Sequence, residues 1–457
     1  MSSFSKLLVK AGQIRSKYIR HRNFLMLISC LVGLISALAA VALKRSVSFI
    51  EHKADSLNDW IGSNWLTAIF PLIGVGLSML IIVYVYKNRL MRGVGAIVTA
   101  ILQDKSRIPK RNIIGHLITA AVTTALGGSV GLEAPIVTSG AALGSNTAHD
   151  LRLSHRDTTL LLACGTASGI AAIFNSPFAG IIFVLEIFLL DFSIPFFIPL
   201  LMSTATATVV SQILYPEKFV FLDIKGWDMH AIPFYVVLGT VCGFISVYVT
   251  HVVEWVEGYF AKRRLDWKTW LMAGIPLCLL IFMFPRLYGE GYSTVKALMH
   301  GNSAVLLSHS TWIHLSPDWS IIIMCVLLIL FKVFAASLTV SAGGNGGIFG
   351  PSLFIGGVAG FLFAFAINKS GLYELNTPNF IIAAMAGVLA GVMHAPLTSI
   401  FLLAEITGGY KLFVPLMIVS AISYFMTRKY VKHSLYHKSL FEKSILTDEH
   451  DHDHDHF

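Results

Sequence analysis

Apolar residues run in long stretches from about Phe24 to Met426, and each stretch is nearly free of charge. About 20 apolar residues span the bilayer hydrocarbon as a helix, so runs of this kind predict helices that cross or enter a membrane. Short polar links interrupt them, among them residues 51–64 and 308–318. Several apolar segments are too short to cross roughly 30 Å of hydrocarbon. The number of spans, and with it the parallel or inverted relation of any two halves, is therefore left open by the pattern. The reading is an all-helical, polytopic membrane domain over 23–426. A basic, interfacial segment 1–22 precedes it, and a tail 427–457 follows, too short to fold around its own core.

The body carries an internal repeat. Residues 175–186, NSPFAGIIFVLE, read against 394–405, HAPLTSIFLLAE: Pro177 and Pro396, Ile181 and Ile400, Glu186 and Glu405 all fall at one offset of 219. Upstream of each copy lies a second pair, GLEAP at 131–135 and GIFGP at 347–351, whose prolines Pro135 and Pro351 are 216 apart. Two matches in the same order at nearly one offset predict two related halves, roughly 23–225 and 226–426. Duplicated halves with Gly/Pro-interrupted apolar segments at corresponding places are a pointer to a transport site between them.

Both interrupted segments predict a loop that enters a helix at membrane depth. Proline suits the first helical position, where its missing N–H would be unpaired anyway. The free N–H groups of such a helix tip need a negative partner, and where no water or headgroup reaches, a bound anion can be that partner. Gly347 with Pro351 repeats the device of Gly131 with Pro135, and Gly93-Val94-Gly95 reads as a third glycine-marked helix start. Tips that converge would dissolve an anion without Lys or Arg, which would hold it too tightly to release.

Glu133 is the sharpest single candidate. A carboxylate in apolar sequence is costly to bury and marks a functional site. At a helix tip it would stand where a permeating anion binds, blocking the place when charged and leaving it when protonated. Desolvation and the helix dipole pull its proton affinity in opposite directions. Glu186 and Glu405 end matching stretches and read as partners for nearby backbone or basic groups. Tyr436, just beyond the last apolar run, reads on its own as an interfacial anchor. His116, His251, His300 and His394 lack metal-ligand spacing and read as structural.

Composition narrows the class further. Hydrophobic residues make up 55% of the 457 and charged residues 13%, against roughly 25% charged in soluble domains. The net charge of +9 is no nucleic-acid signature, because the basic residues sit at both ends and in short links such as Lys87/Arg89/Arg92 and Lys262/Arg263/Arg264. Lys and Arg gathered on one side of a bilayer set topology, which predicts both termini in the cytoplasm of a cell-membrane protein. The first apolar run is too long for a cleaved leader. The five cysteines form no CxxC pair, and no cofactor or metal centre is implied. The Asp/His-rich end, 448–457, reads as a solvated tail, with divalent-metal binding as the alternative.

Together GLEAP, GIFGP, the paired NSPFAGIIFVLE and HAPLTSIFLLAE stretches, and His433-Ser434-Leu435-Tyr436 resemble the CLC chloride channels and chloride/proton exchangers, of the bacterial type without C-terminal regulatory domains. The resemblance implies an inverted-repeat fold of tilted and re-entrant helices, and a homodimer with one anion pathway in each subunit. Glu133 falls at the family's external gating glutamate, and Val94, Gly95, Leu132, Glu133, Ile348, Phe349 and Tyr436 fall at its anion-binding positions. The departures are specific. Val94 stands where chloride-selective members offer a serine, Leu132 replaces a basic residue and Ala134 a glycine. Ile187 follows Glu186 where coupled exchangers carry a second, internal glutamate, and isoleucine carries no proton.

The expectation is chloride/proton antiport gated by Glu133, with protons arriving by water or through a group such as Glu186. The alternative is an uncoupled channel, or a protein preferring another anion such as nitrate or fluoride. An intramembrane enzyme lacks a nucleophile elbow, an HExxH or a paired acid face. A cation carrier using Glu133, Glu186 and Glu405 would reverse the sign of the transported charge.

Overall fold

The computed structural model describes residues 20–61, 65–188, 194–216, 226–307 and 316–436, which form sixteen α-helices. They fall into two series of eight. The first is α1 (His21–Ile61), α2 (Trp65–Leu80), α3 (Val94–Gln103), α4 (Arg111–Ala125), α5 (Glu133–Asp150), α6 (His155–Phe174), α7 (Pro177–Ile187) and α8 (Ile194–Leu214). The second is α9 (Ile232–Ala261), α10 (Trp267–Met283), α11 (Tyr292–Met299), α12 (Pro317–Ser341), α13 (Phe349–Ser370), α14 (Thr377–Met393), α15 (Pro396–Ile406) and α16 (Phe413–Tyr430). Long and short members recur in the same order, so the repeat seen in two motifs extends through the whole body.

Length sorts these helices by how they meet a bilayer. Among the described residues eight are long and apolar enough to cross, and they belong to α1, α2, α6, α8, α9, α12, α13 and α16. At 11 residues each, α7 and α15 reach only about 16 Å, half the hydrocarbon thickness. They enter and stop, and their exposed ends need other partners. In contrast α1, with 41 residues, is about 60 Å long and must tilt or project. It runs unbroken to Ile61, so most of the polar link expected at 51–64 is helix. Charged residues such as Glu and Lys are good helix formers, so a polar stretch does not by itself stop a helix. The remainder of that link, 62–64, and most of the one at 308–318 lie outside the described residues, as do 1–19 and 437–457 with the Asp/His end.

Reciprocal hydrogen bonds relate the halves. The Ser129 N–H donates to Thr339 Oγ1 at 3.2 Å, and the Asn345 N–H donates to Thr123 Oγ1 at 3.1 Å. Each pair is the other with the halves exchanged, at the offset of 216. At the centre Gly131 and Gly347 bond N–H to C=O in both directions at 3.0 Å, an isolated antiparallel bridge. The halves are inverted repeats, and this bridge lies at their two-fold axis. Asn175 and His394 occupy equivalent left-handed positions, φ 55° and 54°, closing α6 and α14.

The two short helices cap one another across the halves. Glu186, near the end of α7, accepts from the N–H groups of Leu397 and Thr398 and from Thr398 Oγ1, the first turn of α15, at 2.7–3.1 Å. Glu405, near the end of α15, accepts from the N–H groups of Phe178 and Ala179 in α7 at 3.1 and 2.9 Å. Without water to solvate them, these helix starts require such acceptors. Within the first series α6 packs against α1, α5, α7 and α8, and every residue of its membrane-length stretch is buried.

Candidate functional site

The site grows from three helix tips. α5 begins at Glu133 and α13 at Phe349, one residue after Leu132 and Ile348, whose backbones match closely at φ −82°, ψ −7° and φ −82°, ψ −6°. Pro135 and Pro351 are therefore the third helical residues and not the first. The first four N–H groups of a helix lack intrahelical acceptors, so a proline there sacrifices nothing. α3 begins at Val94 behind Gly93, whose φ of +76° turns the chain into the helix. None of the three tips has a side-chain cap from its own N-cap residue.

These tips converge. Val94, Gly95, Ala134, Gly347, Ile348 and Tyr436 line one cavity of about 630 Å³. A second cavity, about 360 Å³, is lined by Leu132, Glu133, Phe174, Glu290, Tyr292 and Lys44. Glu133 and Ala134 are chain neighbours yet face different cavities, so the GLEAP turn is the partition between them. Phe349 lies behind it, buried and packed on Phe174 with ring centroids 5.6 Å apart.

Glu133 is folded into that partition, 4% exposed. The Tyr292 hydroxyl donates to its Oε1 at 2.9 Å. Oε2 is buried with no hydrogen-bond partner, and the amides of Glu133 itself and of Gly350 face the carboxylate. The seat exists because residue 131 is glycine: a Cβ there would lie 1.9 Å from Oε2.

Other expected residues fall differently. Tyr436 is buried, edge-on to Phe183 at 6.5 Å between centroids, which is no place for an interfacial anchor. Its buried hydroxyl-bearing ring lines the larger cavity beside Val94 and Ile348. The Leu132 amide, expected to face an anion, donates instead to Glu290 Oε1 at 3.1 Å. Glu186 is held on the first turn of α15 by three hydrogen bonds, away from both cavity walls, and Ile187 beside it is buried. His116 is a tie: its Nε2 lies 2.7 Å from the Met91 carbonyl and its Nδ1 2.9 Å from Asn345 Nδ2, joining the approaches to α3 and α13. The five cysteines are free thiols. Among the described residues no His, Cys, Asp and Glu gather in metal-binding groups.

Sequence reasoning missed Glu290, Tyr292 and Lys332. The signal was present in Gly289-Glu290-Gly291-Tyr292, a carboxylate between glycines behind an apolar run. It reads locally as a surface turn. Lys332 lies in mid-α12, fully buried, where a basic residue needs a specific partner.

Comparisons with known proteins bear on the family and the fold. A family model described as voltage gated chloride channel matches residues 75–428. The chain is 25% identical over 433 residues to a ClcB-like protein of Ralstonia nicotianae, covering 91% of this chain and 96% of that one. It is 30% identical over 305 residues to the H(+)/Cl(-) exchange transporter ClcA of Vibrio cholerae, covering 64% of this chain and 61% of the relative. Among solved structures, a slow cyanobacterial Cl-/H+ antiporter shares the fold, with a TM-score of 0.78 at 19% identity over 94% of this chain and 99% of the other.

Proposed function

The chain belongs to the voltage gated chloride channel family, and on that footing we propose that it exchanges chloride for protons across a cell membrane, with Glu133 as the protonatable gate. The observation that carries this reading is the seat of Glu133, a carboxylate closing the partition between two cavities while its neighbours present helix tips to both. On the larger-cavity side Gly95, Ile348 and the Tyr436 hydroxyl receive the dehydrated anion. Val94 lines the same cavity, Leu132 lines the smaller one, and Phe349 backs the partition between them. Residues 23–426 form the transport domain, Pro135, Gly347 and Pro351 hold the tips in place, and both termini are cytoplasmic. The assembly is a lipid-embedded homodimer with one path in each subunit.

The charged gate occupies an anion's place. A proton arriving from a cavity neutralises it, Tyr292 loses an anionic acceptor, and the side chain leaves the partition to the anion. Return of the charged side chain expels the anion toward one cavity and releases the proton toward the other. Relatives named as H(+)/Cl(-) exchange transporters support coupling.

Ile187 supports a second reading, an uncoupled anion path, since α7 offers an apolar side chain beside an acid already used as a cap. Val94, with no hydroxyl, supports a preference for another anion such as nitrate or fluoride. Reconstituted vesicles decide between them. Under an imposed chloride gradient, uphill proton movement is the expected result; strong anion flux with no accompanying pH change would establish the uncoupled reading.

A further inference from the structure

Glu290 is held with more care than a loop acid requires. It sits in the turn between α10 and α11, flanked by Gly289 and Gly291 at φ +60° and +88°. Lys332 Nζ, from α12, donates to the carbonyls of Leu287 at 3.2 Å and Gly289 at 2.7 Å. Ser129 Oγ donates to the same Leu287 carbonyl at 2.7 Å, and the Gly289 N–H donates to Gly127 at 3.3 Å. The turn is thus clamped to the segment that leads into the GLEAP tip. The clamp delivers the Glu290 carboxylate to the Leu132 N–H, one residue before the gate. Two residues on, Tyr292 delivers its hydroxyl to Glu133.

The Leu132 amide, at the N-cap of the α5 tip, has no intrahelical acceptor and is satisfied only by Glu290 on the smaller-cavity side. A carboxylate oxygen and a halide compete for the same kind of donor. An anion crossing between that cavity and the partition meets a site already filled by the chain's own anion. The groups facing Glu290 are Glu133 from α5, Lys44 from α1 and Lys332 from α12. Glu51, Lys296, Tyr215 and Tyr292 complete the charged and titratable wall of the cavity. Two carboxylates that line one cavity and face each other do not ionise independently. The unpartnered Oε2 of Glu133 shows that the pair leaves one buried acceptor unfilled, a place for a proton or a donor.

We propose that Glu290 is a second protonatable carboxylate of the anion path, a tethered anion that holds the Leu132 amide and yields it to the permeating anion on protonation. The step is a proton transfer from hydronium in the cavity: its O–H bond breaks to leave water, an O–H bond forms on the Glu290 carboxyl, the N–H···O bond from Leu132 breaks, and the amide turns to the incoming anion. The inference rests on the reading of Glu133 as a gate and adds a second titrating group to it.

The test is chloride flux through the full chain in vesicles, from acidic to mildly alkaline pH, for wild type, Glu133→Gln, Glu290→Gln, Glu290→Asp and the double Gln variant. Glu133→Gln should keep a residual decline of flux with rising pH that the double variant lacks. Glu290→Gln should raise alkaline flux roughly two- to tenfold, the equivalent of one net hydrogen bond. Glu290→Asp, too short to reach Leu132 but still charged, should do the same, which separates tethering from charge alone. A flat Glu133→Gln profile, or Glu290 variants that superimpose on wild type, would overturn the proposal. Should the Gln variants fail to fold, chloride titration calorimetry on Glu290→Asp serves, with tighter binding expected and unchanged binding fatal. A wild type that moves no anion would instead refute the transport reading itself.

Discussion

Gly131 decides where the Glu133 carboxylate can sit. Its missing Cβ is the space in which Glu133 Oε2 lies, so Gly131→Ala forces a contact of 1.9 Å that only displacement of the carboxylate relieves. The expected outcome is faster anion flux with a much weaker pH dependence, read with a chloride electrode on vesicles. Gly350→Ala is the contrast, because its Cβ would meet Glu133 Oε1 and Gly131 Cα at 3.3 and 3.1 Å, a squeeze of tenths of an ångström. Its flux should stay near wild type. Glu133→Gln should abolish uphill proton movement; persistence of that movement would reduce Glu133 to a cap. Glu133 was legible in the sequence because a charge amid apolar residues is conspicuous. Glu290 was not, because glycines on both sides are also what an exposed turn looks like. Only the three-dimensional clamp from Lys332 and Ser129 shows it turned inward.

Helices reveal a different division of labour. α7 and α15 stop in mid-membrane, and each ends in the acid that satisfies the other's start. Removing either acid strands two backbone donors, so Glu186→Ala and Glu405→Ala should each cost roughly 1–2 kcal/mol. The check is thermal unfolding in detergent, paired with the proton-to-anion ratio of the surviving protein. Equal destabilisation with an unchanged ratio is expected, whereas a ratio that falls only for Glu186→Ala would make it a relay. The register of the two acids was readable as an offset of 219. Which helix each acid serves was not, since nothing in a linear pattern says that a side chain reaches over to the other repeat. The prolines illustrate the same limit on a smaller scale: their presence marked the tips, but the helices start two residues earlier because the amides there have no acceptor to lose.

For the molecule as a whole, the fold was legible in outline and the span count was not, since half-length helices defeat any count of crossings. The second half is also tied together outside the apolar layer. Asp228, just ahead of α9, accepts from the Tyr373 hydroxyl in the turn between α13 and α14, and from the His230 N–H and ring. Tyr373 first, then His230, hold the Asp228 carboxyl down at about 2 from the ordinary 3.8. A depressed carboxylate stabilises the fold above its ordinary value, and that contribution fades as pH falls toward about 2. Asp228→Asn should therefore lower the unfolding temperature slightly at neutral pH and narrow the gap to wild type in acid. A gap that widens in acid would show the sign to be wrong.

The doubly bonded glycine pair at the centre has a consequence for motion. Two backbone hydrogen bonds and the crossed acid caps join the repeats at their centre, so that one cannot slide past the other without breaking them. Switching access from one cavity to the other then has to be accomplished by the swing of single side chains, and a covalent staple joining the repeats should leave turnover intact.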